Sequence, residues 1–365
     1  MRIIIQASGL LTDSPADTGH VYWDFLYALC GQHADDRFFL VVDRPYNKKL
    51  PLPANATVVE KVAGSGAVGQ WWWRNYTWPS LVKKYEADRV LVIDDVLPTK
   101  AGVPAWLMLA HKRNPLLSKD AQKYMGNYRG VIVLSSWMKR QVLDIFPAME
   151  DRVQVMAPGP LTAIRPVEWD EREEFKRELT NGVEYFAVVG AFHPDNNILP
   201  LLKAFSKLKG RLHSNLKLVI AGRATREGAS LADSLASYRF RDDVIWVKDA
   251  TAHRLARLIA SSYALVHVAT LEGVAFPVLA AQAAQVPVVA LSGGTGEDAG
   301  GEAALYAEPG NIDELAEKMG AIYKDEMLRN RLLAKIPAPD PNVGWQQFAS
   351  SVWRLMSEEA PAINN

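Results

Sequence analysis

The sequence predicts an α/β protein built from two doubly wound, largely parallel domains. Three observations carry this: short apolar runs alternate with helical patterns, the alternation breaks once after Pro158-Gly159-Pro160, and it restarts at Tyr185. At 365 residues the chain also exceeds what one hydrophobic core ordinarily serves.

Ile3-Ile4-Ile5, closed by Ser8-Gly9, is a β-branched run that reads as a buried parallel strand. After Gly19, the residues Val21, Phe25 and Leu29, with Tyr22 and Leu26 beside them, recur at helical spacing. Strands are expected at Phe38 to Val42, Thr57 to Val59 and Arg89 to Ile93, with a helix near Pro79 to Tyr85. Ala105 to Leu109 and Val131 to Leu134 continue the series, and a helix follows from Ser135. Val153 to Met156 closes the first set. Residues 161–182 are charged, lack strand periodicity and are expected to be a linker. The second set has strands at Tyr185 to Gly190, Leu216 to Gly222, Val244 to Val247, Ala264 to Val268 and Pro287 to Leu291, with a helix from Leu199 to Leu208. The expected domains are 1–160 and 183–340, followed by a helical stretch in 341–365. A ligand is expected in a central cleft at the carboxyl ends of both sets of strands.

Lys plus Arg equals Asp plus Glu at 41 each, so no global field draws the chain to nucleic acid. The single cysteine, Cys30, excludes an internal disulfide and a zinc cluster and reads as a core thiol. The N-terminus lacks the apolar stretch of a signal peptide, and no run approaches the roughly 18 apolar residues of a spanning helix. A cytoplasmic protein is expected, with peripheral membrane contact through an amphipathic patch left open.

The most informative stretch is Glu272-Gly273-Val274-Ala275-Phe276-Pro277-Val278-Leu279-Ala280. A glycine turn delivers an acidic residue and then a proline suited to the first turn of a helix, whose amides and dipole suit a phosphate group. An ordinary loop-to-helix cap fits the same residues. With Ala281, Ala283, Pro287, Val288 and Val289 in register, and Glu297 to Tyr306 further on, the stretch resembles glycosyltransferase family 4, of the group 1, GT-B architecture. Val188-Val189-Gly190 with Asn197-Ile198 is similar to the opening of that family's second domain.

The resemblance implies two Rossmann-like domains, with the helix in 341–365 crossing back to the first, and a retaining transfer of a hexose from a nucleotide-diphosphate sugar to a glycan or lipid-linked acceptor, with no bound metal or cofactor. It implies that Glu272 meets hydroxyls of the sugar and that amides from Gly273, Val274, Ala275 and Phe276 face the diphosphate. Gly19 and Gly190 would lie at the donor phosphates. His111, in Ala110-His111-Lys112-Arg113-Asn114-Pro115, stands where many members place a histidine near the reacting carbon; a solvated loop histidine is the alternative.

The chain departs from the pattern at three positions. Ala280 replaces the glutamate that holds the donor ribose, and Ala191 and Asn196 replace an arginine and a lysine that steady the leaving diphosphate. Either Arg223 or Lys248, at the ends of neighbouring strands, supplies the missing charge, or the fold persists in a non-catalytic binding or partner subunit.

A third reading, an NAD-dependent oxidoreductase, comes from Gly64-Ser65-Gly66-Ala67-Val68-Gly69, which matches the dinucleotide fingerprint after a strand. Bulky Trp71, Trp72 and Trp73 stand where that fingerprint wants small residues. The Trp71 to Trp78 cluster is expected to pack inside, with an acceptor platform as the alternative. Asp94-Asp95 alone does not define a metal site.

Overall fold

Strands buried on both faces need near-continuous apolar runs, and the runs found above become two all-parallel sheets. The computed structural model describes residues 1–8, 21–43, 45, 52–99, 103–109, 116, 118–159, 164–190, 193, 196–224, 228, 233–270, 272–338 and 344–358. The first sheet comprises β1 (Arg2–Gln6), β2 (Arg37–Val42), β3 (Ala56–Glu60), β4 (Arg89–Ile93), β5 (Ala105–Leu109), β6 (Gly130–Val133) and β7 (Val153–Val155). Their order is β3-β2-β1-β4-β5-β6-β7, so the strand order reverses at β1, between Ile4↔Phe39 on one side and Ile4↔Val90 on the other.

The second sheet comprises β8 (Tyr185–Val189), β9 (Lys217–Ala221), β10 (Val244–Val247), β11 (Ala264–His267), β12 (Val288–Leu291) and β13 (Ala304–Ala307). Their order is β10-β9-β8-β11-β12-β13, and the reversal falls between β8 and β11. The period of two sorts its side chains. Phe186, Val188, Leu218, Ile220, Ala264, Val266, Val289 and Leu291 share one core with Leu201, Leu202, Phe205 and Leu208 of the helix Ile198–Leu212. Tyr185, Ala187, Val189, Val219, Ala221, Leu265, Val288 and Ala290 share the other with the helices Ala252–Ala260 and Phe276–Ala283. Burying each large aliphatic or aromatic side chain contributes roughly 1.5–3 kcal/mol before entropy is charged.

Two compact units result, the second holding residues 159–341. The helix Trp345–Ser357 belongs to the first: Phe348 meets Phe25 edge-on at 5.2 Å, and Trp353 stacks on His33 at 3.6 Å. The span 161–182, expected to be a linker, instead contains the helix Trp169–Thr180. Its charge conceals a narrow buried stripe: Phe175 lies under the Arg257 guanidinium at 4.7 Å, and buried Lys176 pairs with Glu173 and Glu184 at 2.6 Å each.

The tryptophan cluster is split rather than internal. The helix Gly66–Trp72 runs without interruption through a π-helical turn, Trp73–Thr77, into the helix Trp78–Lys84. Trp73 and Trp78 are buried, and the Trp73 Nε1–H donates to Lys61 O at 2.6 Å. The wide turn brings Arg74 inward, where it binds both oxygens of Asp95 (2.9 and 2.8 Å), Asp120 (2.8 Å) and the Val96 carbonyl. Trp71, Trp72 and Tyr76 face outward.

Gly69 of this run lies against Gly64, so closely that an added Cβ would stand 2.2 Å from the Gly64 carbonyl oxygen. Gly69→Ala is therefore expected to destabilise the chain by about 1–3 kcal/mol, the usual cost of overpacking, read as a lower urea midpoint at unchanged m-value.

Candidate functional site

In an open α/β sheet the space at the carboxyl ends of the strands, where strand order reverses, is where no crossover covers the edge. In the second sheet that point lies between Gly190, which follows β8 with φ 151°, and the segment after β11 that holds Glu272 and Gly273. The Asn197 Nδ2–H donates to Val268 O at 2.8 Å, tying the start of the helix Ile198–Leu212 to the end of β11. Glu272 is partly exposed, whereas Gly273, Val274, Ala275 and Phe276 are buried. Pro277 occupies the first turn of the helix Phe276–Ala283, and the amides of Val278 and Leu279 both donate to Ala275 O, at 3.0 and 3.1 Å.

His267, the last residue of β11, is the polar neighbour that sequence reasoning missed. Its ring is 2% exposed, and Nε2 lies 3.7 Å from Glu272 Oε2 without a hydrogen-bond partner among the described residues. Burial lowers its pKa to about 4, while a carboxylate this close acts in the opposite direction. The ring is also clamped: a Cβ at Gly296, in the helix Thr295–Gly300, would stand 2.9 Å from His267 Cδ2. The only sequence signal was a lone histidine inside an apolar strand, a pattern that more often means core packing.

Arg223 follows β9 and Lys248 follows β10, at the same end of the sheet as Glu272. Arg223 Nε pairs with Asp249 Oδ1 at 2.5 Å, and Lys248 Nζ lies 4.5 Å above the Trp246 ring. Asn196, standing in place of the family's lysine, approaches Gly190: a Cβ there would lie 3.4 Å from Asn196 Nδ2. Ala280 is fully buried within the apolar cluster beneath the sheet. Gly19, His111 and Ala191 lie outside the described residues.

The dinucleotide-like glycines follow β3, which is the edge strand of the first sheet and lies two strands from the reversal at β1. The close approach of Gly69 to Gly64 accounts for two of the three glycines without a ligand. The NAD-dependent reading thereby loses its geometric ground. Asp95 is engaged by Arg74 and belongs to a structural ion cluster.

Residues 170–336 match the family model described as glycosyl transferases group 1. An uncharacterized glycosyltransferase of Methanocaldococcus jannaschii is 28% identical over 213 residues, which are 56% of this chain and 54% of that protein, so the match spans about half of that relative. WaaG, a glycosyltransferase involved in lipopolysaccharide biosynthesis, superposes with a TM-score of 0.75 at 14% identity, covering 98% of this chain and 100% of its own. Sucrose-phosphate synthase from Thermosynechococcus elongatus gives 0.74 at 15% identity, covering 97% and 98%. The Anabaena protein HepE, solved with UDP and glucose, gives 0.69 at 15% identity, covering 97% of each chain. At such identities the likeness is one of fold: two Rossmann-like domains, as in the GT-B glycosyltransferases.

Proposed function

We propose, from the premise that the second unit is a group 1 glycosyl transferase domain, that this chain transfers a hexose from a nucleotide-diphosphate sugar to a glycan or lipid-linked acceptor, in the cytoplasm, with retention of configuration and without a metal. The observation that carries the reading is the position of Glu272 and Gly273 after β11, beside β8, where strand order reverses. In this reading the Glu272 carboxylate accepts hydrogen bonds from sugar hydroxyls. The turn from Gly273 to Phe276 and the helix dipole behind it face the diphosphate, and Gly190 leaves room for the phosphates. Arg223 and Lys248 supply the positive charge that Ala191 and Asn196 lack, with Arg223 exchanging Asp249 for phosphate. The family resemblance assigns Gly19 to the donor phosphates and His111 to the transferred sugar.

A second reading, a non-catalytic partner subunit, is favoured by one observation: Ala280 is closed into the apolar core where a ribose-binding glutamate would stand. Calorimetric titration separates the two. Because HepE was solved with UDP, uridine diphosphate is the first ligand to titrate, followed by guanosine diphosphate. Saturable heat with one of them is expected, and no heat with any nucleoside diphosphate would establish the subunit reading instead.

A further inference from the structure

The helical run from Gly66 to Lys84 has an inner face that the first unit uses and an outer face that it does not. Trp73, Trp78, Pro79 and Leu81 point inward. Outward, in successive turns, lie Val68, Trp71 and Trp72, then Tyr76, then Ser80, Lys83 and Lys84. Val68 is 80% exposed, and the three aromatic residues are 52–57% exposed. Their rings are already assembled, Trp72 stacked on Tyr76 at 4.3 Å and Trp71 edge-on to it at 5.6 Å. The helix Gly66–Trp72 buries none of its residues. A helix that short draws its stability from packing, so an apolar outer face left in water is the unusual feature.

We infer that this outer face lies in the headgroup region of an anionic lipid surface. The charge distribution selects that occupant. The chain as a whole is neutral, yet residues 61–85 contain Lys61, Arg74, Lys83 and Lys84 and no Asp or Glu. Arg74 is spent on Asp95 and Asp120, which leaves Lys83 and Lys84 exposed at the end of the same helical run, with Lys61 exposed ahead of it in sequence. Tryptophan and tyrosine are the side chains that settle at the membrane–water interface, and lysines beside them meet anionic headgroups. A glycan would also stack on the rings, but it needs polar side chains for its hydroxyls. Here the Asn75 Nδ2–H donates to Trp71 O at 2.8 Å and the Ser80 hydroxyl donates to Thr77 O at 2.7 Å. Among the described residues no helix is long and apolar enough to cross a membrane, so the contact is in the plane of the surface. The π-helical turn helps to make the face: its extra residue brings Trp73 and Trp78, five positions apart, to the same buried side, while Trp71, Trp72 and Tyr76 stay outside.

The test uses the full chain and sedimentation with vesicles, either equal parts phosphatidylcholine and phosphatidylglycerol or phosphatidylcholine alone. Binding to the mixed vesicles is expected, with little to the neutral ones, weakening as salt rises. The triple variant Trp71→Ala, Trp72→Ala, Tyr76→Ala is expected to lose at least about tenfold in vesicle affinity. Lys83→Glu with Lys84→Glu is expected to abolish the preference for anionic lipid. Both variants alter exposed side chains, and an unchanged melting curve and circular dichroism spectrum would confirm intact folding. Equal sedimentation with both vesicles, or undiminished binding by the aromatic variant, overturns the inference. So does retention on an immobilised glycan without vesicle binding, or a concentration-dependent dimer that the aromatic variant abolishes. None of these outcomes depends on nucleotide binding by the second unit, so sugar transfer stands or falls separately.

Discussion

Glu272→Gln is expected to lower kcat/KM for sugar transfer about 10- to 100-fold, which corresponds to the roughly 1.5–3 kcal/mol of a hydrogen bond to a charged group. Glutamine keeps the shape of the side chain but carries no charge and offers one accepting oxygen instead of two. The position favours a specific effect over a structural one. Glu272 is partly exposed at a strand end, its neighbour His267 is clamped by the Thr295–Gly300 helix, and the adjoining turn is buried through Phe276. The thermal midpoint and the affinity for uridine diphosphate should therefore be unchanged, while affinity for the intact nucleotide sugar falls. Equal transfer by the variant and the parent would remove Glu272 from the sugar site. Loss of diphosphate binding as well would instead mean that the turn at Gly273 had moved.

The fold was legible because parallel strands buried on both faces leave unbroken apolar runs in the sequence. Phe38 to Val42, Arg89 to Ile93 and Tyr185 to Val189 are of this kind. Elements with little buried surface left no such mark. The helix Trp169–Thr180 buries only Phe175, Lys176 and Thr180, so its charge dominates its pattern. Strand β13, Ala304–Ala307, is an edge strand among the described residues, pairs with β12 and carries two alanines. The π-helical turn has no sequence signature, and it decides which of the tryptophans go inside: Trp73 and Trp78 do, Trp71 and Trp72 do not. At the candidate site, Glu272 and Gly273 stood out because proline, glycine and a carboxylate occur together before an apolar helix. His267 did not stand out, because its significance depends on a carboxylate five residues away and on a glycine at 296, both brought to it only by the fold.

That buried histidine predicts an acid limb in the stability of the chain. At neutral pH His267 is uncharged in the folded and unfolded states alike and contributes no pH dependence. As pH falls through 6.5, the ordinary value, the unfolded chain takes up a proton that the folded chain refuses until about pH 4. The unfolded state binds more protons throughout that window, so stability must fall with acidification, by on the order of 3 kcal/mol in total. Most of a typical domain's margin is two to five times that amount, which makes the limb measurable by urea titration at a series of pH values. His267→Gln cannot titrate and should flatten the limb between pH 6.5 and 4, leaving only the contribution of other groups. The opposite result is equally informative. If Glu272 outweighs burial, the imidazole is held charged, stability is gained rather than lost below pH 6.5, and the 3.7 Å approach is an ion pair. The imidazole nitrogen shifts of His267 would then report a cation at neutral pH, and the Glu272 carboxylate would carry its own counter-ion.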